Sequence, residues 1–362
     1  MTAPVLTAIG TMSGTSVDAI DLAVVASDGQ RIDRLGPHGA FAYRPETRRA
    51  ILDLVASRRE VTAADCRELA AAITADHAEA IERFMAEHGL AGIDLVGFHG
   101  QTVLHRPERR FTLQLGDPQV LADRLGIRTV GDLRQADVAA GGQGAPIVPV
   151  YHAALAGGLE QPLAFLNVGG VANLTFIDGD SLVAFDVGPG NALLDDWVRR
   201  HGADDIDRDG RWSAAGTADA ARIAKALALP FFARPWPKSL DRNDFPLAMV
   251  DGLGLEDGAA TLAELTAAGV EAACRLLPAP PKRWLVTGGG RLNPTIMTAL
   301  RRRLGVPVEP VEAVGLQGDA LEAQAMGFLA IRSLRGLPLT LPTTTGAPRP
   351  LTGGALFLPK GR

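Results

Sequence analysis

Three glycine-rich turns and one strand-end carboxylate supply the residue types from which phosphoryl transfer can be built. The first turn, Ile9-Gly10-Thr11-Met12-Ser13-Gly14-Thr15-Ser16-Val17-Asp18-Ala19-Ile20-Asp21, sets glycines and hydroxyls between two apolar runs. Glycine lets the backbone approach an anion, the N–H groups of such a turn point at its oxygens, and Thr11, Ser13, Thr15 and Ser16 add hydroxyl donors. Ser13, Gly14, Thr15, Ser16, Val17, Asp18, Ala19, Ile20 and Asp21 are therefore the candidate phosphate loop. Asp18 or Asp21 can carry a metal ion, with Asp18 the first choice, directly or through water. An ordinary hairpin would use the same residues for turn geometry alone, so recurrence has to decide.

The design does recur. Leu163–Ile177 again runs apolar strand, glycine turn, apolar strand, with Asn167, Gly169, Gly170 and Asn173 at the turn. A third cluster, Gly288, Gly289 and Gly290, follows the apolar run Trp284–Val286 and precedes a segment with helical spacing at Ile296, Ala299, Leu300 and Leu304. A strand-to-helix glycine turn suits a nucleotide. Neither G-x-x-x-x-G-K-[ST] nor G-x-G-x-x-G occurs, so P-loop and dinucleotide scaffolds are disfavoured.

Asp186 closes the apolar run Val183–Phe185 and is followed by Val187-Gly188-Pro189-Gly190-Asn191 and a helix start. A strand-end carboxylate on a stiff turn is placed to act as a general base, although a turn cap would look the same. Glu322, near a helix start, is a secondary candidate whose plainer role is to complement the helix dipole. Arg106, Arg134 and Gln143 lie in polar segments where an arginine can fork onto a carboxylate. His99 and His105 lack a metal-ligand spacing and read as structural or substrate-contacting. No G-x-S-x-G elbow is present, which weakens any serine-nucleophile reading.

The elements that must hold these residues alternate as in an α/β protein. Helical spacing covers Thr47–Ala56, Ala63–His88, Pro118–Leu125, Leu262–Leu277 and Leu316–Leu334, and short apolar strands are expected at Leu95–Phe98 and Arg128–Val130. The glycine-rich stretch 131–146 is the expected crossing between domains, and 204–216 and 229–245 read as irregular. At 362 residues two domains fit, and a net charge of −5 with mixed signs gives no argument for nucleic acid or a membrane surface. The two cysteines, Cys66 and Cys274, read as reduced thiols, and no apolar run approaches a membrane span, so a cytoplasmic protein is expected.

Met12–Ser16 with Asp18, His99-Gly100-Gln101-Thr102, Gly131–Arg134, Ala140–Pro146, Asn167–Asn173, Phe185–Asn191 and Thr287–Gly290 occur in an order that resembles the anhydro-N-acetylmuramic acid kinase family nearly end to end. The resemblance implies the two-domain actin-like ATPase fold (ribonuclease H-like) with ATP and Mg²⁺ in a cleft. Domain I would be 1–133 plus about 335–362, and domain II 134–334. The reaction implied is hydrolytic opening of 1,6-anhydro-N-acetylmuramic acid with phosphorylation of O6, giving N-acetylmuramate 6-phosphate and ADP in peptidoglycan recycling. Asp186 matches the family's base, and Gln101, Arg134, Gly188, Asn191 and Glu322 are the implied sugar contacts. A homodimer is the family expectation. Ala19 stands where the family commonly has glycine, and Val187 where threonine is frequent. The rivals are another sugar or carboxylate kinase of the same fold and an ATP-driven binding module.

Overall fold

The computed structural model describes residues 3–14, 16–57, 59–240 and 244–360. The chain forms two compact units, Met1–Gly157 with Asp319–Arg362, and Gly158–Gly318. The expected boundaries near 133/134 and 334/335 differ from this division, for a physical reason. The Leu321–Leu334 helix packs on the first unit's sheet, and the 134–146 segment is hydrogen-bonded within that unit.

In the first unit the strands are β1 (Leu6–Ser13), β2 (Ile20–Ser27), β3 (Ile32–Phe41), β4 (Leu95–Arg106), β5 (Phe111–Leu115) and β6 (Thr129–Gly131). In the second they are β7 (Leu163–Val168), β8 (Val171–Asp178), β9 (Ser181–Pro189), β10 (Arg283–Thr287) and β11 (Val308–Pro310); β12 (Ala355–Phe357) returns to the first sheet. The first sheet runs β12-β6-β4-β1-β2-β3, with β5 paired to β4, and the second β11-β10-β7-β8-β9. In each, three antiparallel strands joined in sequence, β1-β2-β3 or β7-β8-β9, are extended by parallel strands beside the first of them. The two glycine hairpins are thus equivalent positions in a repeated plan.

Each sheet buries an apolar face under helices. The 19-residue Leu255–Ala273 helix, buried along much of its length, covers the second sheet with Asn191–Arg200 and Pro294–Leu304. In the first unit the Leu321–Leu334 helix lies flush on β1 and β4 because three glycines remove the side chains between the backbones. A Cβ on Gly10 would run into the Ala323 carbonyl, one on Gly97 into the Met326 carbonyl, and Gly327 completes the contact. That close approach brings Asp319 and Glu322 to the first hairpin.

The Pro118–Leu125 helix and the β7–β8 hairpin lie where the sequence places them. The strand expected at Leu95–Phe98 instead continues through His99–Arg106 and pairs with β5, since Val103 and Leu104 extend its apolar pattern. The 131–146 stretch contains a short helix, Gln135–Ala140. β9 carries one residue more than β8 at its end: Asn173 pairs with Asp186 and Ala172 with Gly188, leaving Val187 as a bulge.

Candidate active site

In the first unit the parallel register of β1 and β4 sets Ser13 beside Gln101. Gln101 is fully buried; its Oε1 accepts from Ser13 Oγ (2.6 Å) and Tyr43 OH (3.4 Å), and its Nε2 donates to the carbonyls of Gly14 (3.3 Å) and Thr102 (3.2 Å). Both lone-pair directions and both N–H bonds of the amide are committed. Gln101 therefore braces the first turn from behind. Ser13 spends its proton on that amide, and Thr11 Oγ1 is enclosed without a partner among the described residues, so neither hydroxyl points outward as the sequence suggested. Ser16 is exposed, and Thr15 lies outside the described residues.

The turn is closed by Val17, whose N–H donates to the Gly14 carbonyl at 3.1 Å and whose φ is 55°. A left-handed conformation is costly for a β-branched residue, and here full burial of the side chain holds it. The Val17 carbonyl accepts from Arg48 Nε (2.9 Å), and Arg48 also faces the exposed Asp18 carboxylate at 3.4 Å. Val17 and Ile20 have buried side chains and can serve an anion only through the backbone. Asp21, at the start of β2, is pushed up to about 6, chiefly by burial and then by the charges of Glu322, Asp319 and Asp18. Negative charge is concentrated there, which fits a site that receives a cation.

Arg134 is half-buried and largely engaged. Its Nε donates to His99 Nε2 (2.8 Å) and its Nη1 to the Gly144 carbonyl (2.6 Å). Acceptance at Nε2 requires a neutral His99 with its proton on Nδ1, donated to the Gly100 carbonyl at 2.7 Å. Burial, and secondly the Arg134 charge, hold His99 down to about 3. His105 lies between Thr112 Oγ1 (3.0 Å) and the Gln143 carbonyl (2.9 Å). Both histidines are structural. Asp137, buried, accepts from Gly144 N (2.7 Å), Thr340 Oγ1 (2.5 Å) and Thr345 Oγ1 (2.6 Å), tying the glycine-rich 141–146 segment to the C-terminal stretch.

In the second unit the candidate residues form one row. Register partners share a face, and the pairs Thr287–Asn167, Asn167–Asn173 and Asn173–Asp186 run across β10, β7, β8 and β9 in line. Asn167, Asn173 and Asp186 are half-buried among fully buried apolar neighbours. The second hairpin turn is locked to the following helix: Asn191 N donates to the Gly169 carbonyl (2.7 Å), Asn191 Nδ2 to the Val168 carbonyl (3.1 Å), and Gly190 N to the Gly170 carbonyl (3.1 Å). The third turn packs on the same place. A Cβ on Gly288 (φ 74°) would run into Asn167 Oδ1, one on Gly290 into the Val168 side chain, and one on Gly289 would stand 3.4 Å from Asn191 Nδ2. Gly188 is buried against the Phe232 ring. Second hairpin, third turn, Asn191 and Asp186 thus belong to one constellation.

The Asp186 carboxyl keeps partial solvent access yet is closely surrounded by protein. That desolvation pushes it up to about 7; the Leu240 N–H, which donates to Oδ2 at 2.7 Å, and the Lys238 charge oppose the rise, while Asp244 adds to it. A carboxyl balanced near neutrality can take a proton during turnover. Lys238 and Leu240 gave no sequence signal, and Thr287, at the head of the Thr287–Gly290 motif, joins the row as the register partner of Asn167. Asp195, one helical turn beyond Asn191, is pushed up to about 6, mainly by burial, and gave no sequence signal.

Among the described residues no group of three or more His, Cys, Asp or Glu side chains forms a metal cage, and no helix is long and apolar enough to cross a membrane. Asp21, Asp18, Asp319 and Glu322 concentrate negative charge at the first turn.

A repeated sheet plan with a glycine hairpin in each copy defines the class: the α/β fold of the actin-like ATPases. The solved component A of (R)-2-hydroxyglutaryl-CoA dehydratase from Acidaminococcus fermentans superposes with a TM-score of 0.50 over 91% of this chain and 99% of its own, at 11% identity. The family model for anhydro-N-acetylmuramic acid kinase matches residues 6–359, and the chain belongs to that family. It is 56% identical over 352 residues to the anhydro-N-acetylmuramic acid kinase of Rhodospirillum rubrum, covering 97% of this chain and 94% of that one. It is 50% identical over 365 residues to that of Bradyrhizobium diazoefficiens, covering 98% and 100%.

Proposed function

We propose that the protein is a cytoplasmic ATP-dependent kinase that opens 1,6-anhydro-N-acetylmuramic acid with water and phosphorylates the released O6, giving N-acetylmuramate 6-phosphate and ADP. Family membership supports the substrate, and one observation carries the mechanism: the row Thr287–Asn167–Asn173–Asp186 ends in a carboxyl near neutrality beside the second hairpin and the third glycine turn.

In this reading Asp186 takes a proton from the water whose oxygen bonds to the anomeric carbon. The C1–O6 bond breaks, O6 bonds to the γ-phosphorus, and ADP leaves with the electron pair of the broken P–O bond. Phosphoryl transfer needs positioning and charge neutralisation above all. In the first unit the backbone of Gly14 and of Ser16 to Ala19 is assigned to phosphate; in the second, Gly169–Gly170 is assigned to phosphate and Gly288–Gly290 to the nucleoside. Mg²⁺, when bound, neutralises phosphate charge; Asp21 and Asp18 would hold it, chiefly through water, with Glu322 and Asp319 adding to the field. Arg134, Glu322, Gly188 and Asn191 are assigned to the sugar. Gln101 is reassigned from the sugar to the turn it braces.

The test is incubation with Mg-ATP and the anhydro sugar in ¹⁸O-water, quenched ahead of anomeric exchange. One ¹⁸O at C1 and none in the phosphate is expected. An unlabelled phosphosugar would establish a plain sugar kinase, and ADP release without a sugar product would overturn the reading.

A further inference from the structure

We infer that Lys238 is a positioning residue for the Asp186 base: its main-chain carbonyl and its side-chain charge together keep that carboxylate ionised and aimed. The inference rests on the function proposed above and goes beyond it by assigning a role to a segment far from every glycine motif.

Residues 238–240 run beside the end of β9 as a strap. Asp186 N donates to the Lys238 carbonyl at 3.1 Å, and Leu240 N donates to Asp186 Oδ2 at 2.7 Å. One bond fixes the backbone of Asp186 and the other fixes the direction of its carboxyl, and both come from a single three-residue stretch.

The side chain of the same lysine is only 4% exposed. Lysines are almost never buried so fully unless paired. Nζ donates to the Phe231 carbonyl at 3.1 Å and lies 4.4 Å from the Phe231 ring centroid and 5.4 Å from that of Phe185, the residue before Asp186. One carbonyl and two ring faces compensate a buried charge only in part. Asp186 adds a charge that favours the ammonium, against burial and, after it, Arg234, which pull Lys238 down to about 8. Among the described residues the charged groups acting on this pair are Arg234 and Asp244. Lys238 exchanges no proton in the step. Its charge holds Asp186 deprotonated before the carboxylate takes the proton from water and disfavours the neutral acid afterwards, which returns the base to its starting form.

A purely structural role, in which Lys238 only anchors the strap to Phe231, makes a different prediction. Lys238→Met and Lys238→Arg are compared with wild type by kcat/KM for the anhydro sugar between pH 5.5 and 9. The methionine variant is expected to move the acid limb up by about one pH unit, a roughly tenfold loss below the limb that recovers at high pH. The arginine variant stays within about twofold of wild type at every pH, as expected when the charge is kept. An equal loss at every pH, or no change, overturns the inference. If the methionine variant fails to melt cooperatively, Lys238→Gln carries the same expectation. A second readout is independent of turnover: the ¹³C-carboxyl titration of Asp186 in unliganded protein, assigned with Asp186→Asn, should shift upward without Lys238, and an unmoved midpoint overturns the proposal. A wild type inactive on the sugar would defeat the proposed function while leaving this titration to decide the role of Lys238.

Discussion

The two glycine hairpins occupy equivalent places in a repeated sheet plan, yet their polar side chains are used in opposite ways. Around the first, Ser13, Tyr43 and Gln101 bond to one another inside the unit and Thr11 is enclosed, so the turn offers backbone and little else. Around the second, Asn167, Asn173 and Asp186 stand half-buried in a line, and a third glycine turn packs against them. The first hairpin turns its polar side chains inward, and the second lines them up along one face. The same scaffold occurs twice, and the side-chain direction separates the two copies.

The sharpest way to break this comparison is at Asp186. Asp186→Asn should lower turnover by about 10³-fold while changing the KM for ATP little, as loss of a base predicts; steady-state kinetics with both substrates varied would check it. The wild-type kcat/KM should fall tenfold per pH unit below about 7, because only the deprotonated carboxyl can accept the proton. Gly10→Ala should cost about 3 kcal/mol or more, since the added methyl meets the backbone of the Leu321–Leu334 helix, and urea unfolding would measure it. Gln101→Ala leaves the buried Ser13 and Tyr43 hydroxyls without their acceptor, at about 1–3 kcal/mol. It should raise the KM for ATP severalfold and leave that for the sugar nearly unchanged; an equal rise for the sugar would return Gln101 to the substrate.

A further effect concerns the pH dependence of stability. The folded-state carboxyl of Asp186 lies above its ordinary value, so the folded protein binds more protons than the unfolded chain between the two, and stability falls as pH rises through that window. Asp186→Asn should therefore melt higher than wild type at pH 8, with the gap closing toward pH 4. Calorimetry showing no pH-dependent gap would contradict the assigned environment.

Much of this molecule is legible in its sequence because its signals are local. Glycine between apolar runs marks the hairpins, the helix expected at Pro118–Leu125 and the helical spacing from Ile296 to Leu304 both appear, and the apolar spacing of Leu316–Leu334 reads as a helix that the structure starts at Leu321. What was not legible depends on partners distant along the chain. No local pattern says that Ser13 turns toward a residue 88 positions away, or that a lysine in a proline-rich loop lies beside a carboxylate on β9. The continuation of β4 past Phe98 is hidden because polar residues in a paired strand look the same as polar residues in a loop. The unit boundaries moved because Gly10, Gly97 and Gly327 matter through the space they leave, and only a folded neighbour shows what fills it.

The extra residue at Val187 acts as a phase shifter. In an unbroken strand Asp186 and Gly188 would face the same way; the bulge gives them adjacent partners on β8 and so opposite faces, letting the carboxylate and the turn before Asn191 be set independently. A deletion of Val187 would therefore leave both pairings and both faces as they are, and would remove only the bend and added twist that the bulge gives the end of β9. Any redesign that exchanges the Gly188–Asn191 turn has to reckon with that bend.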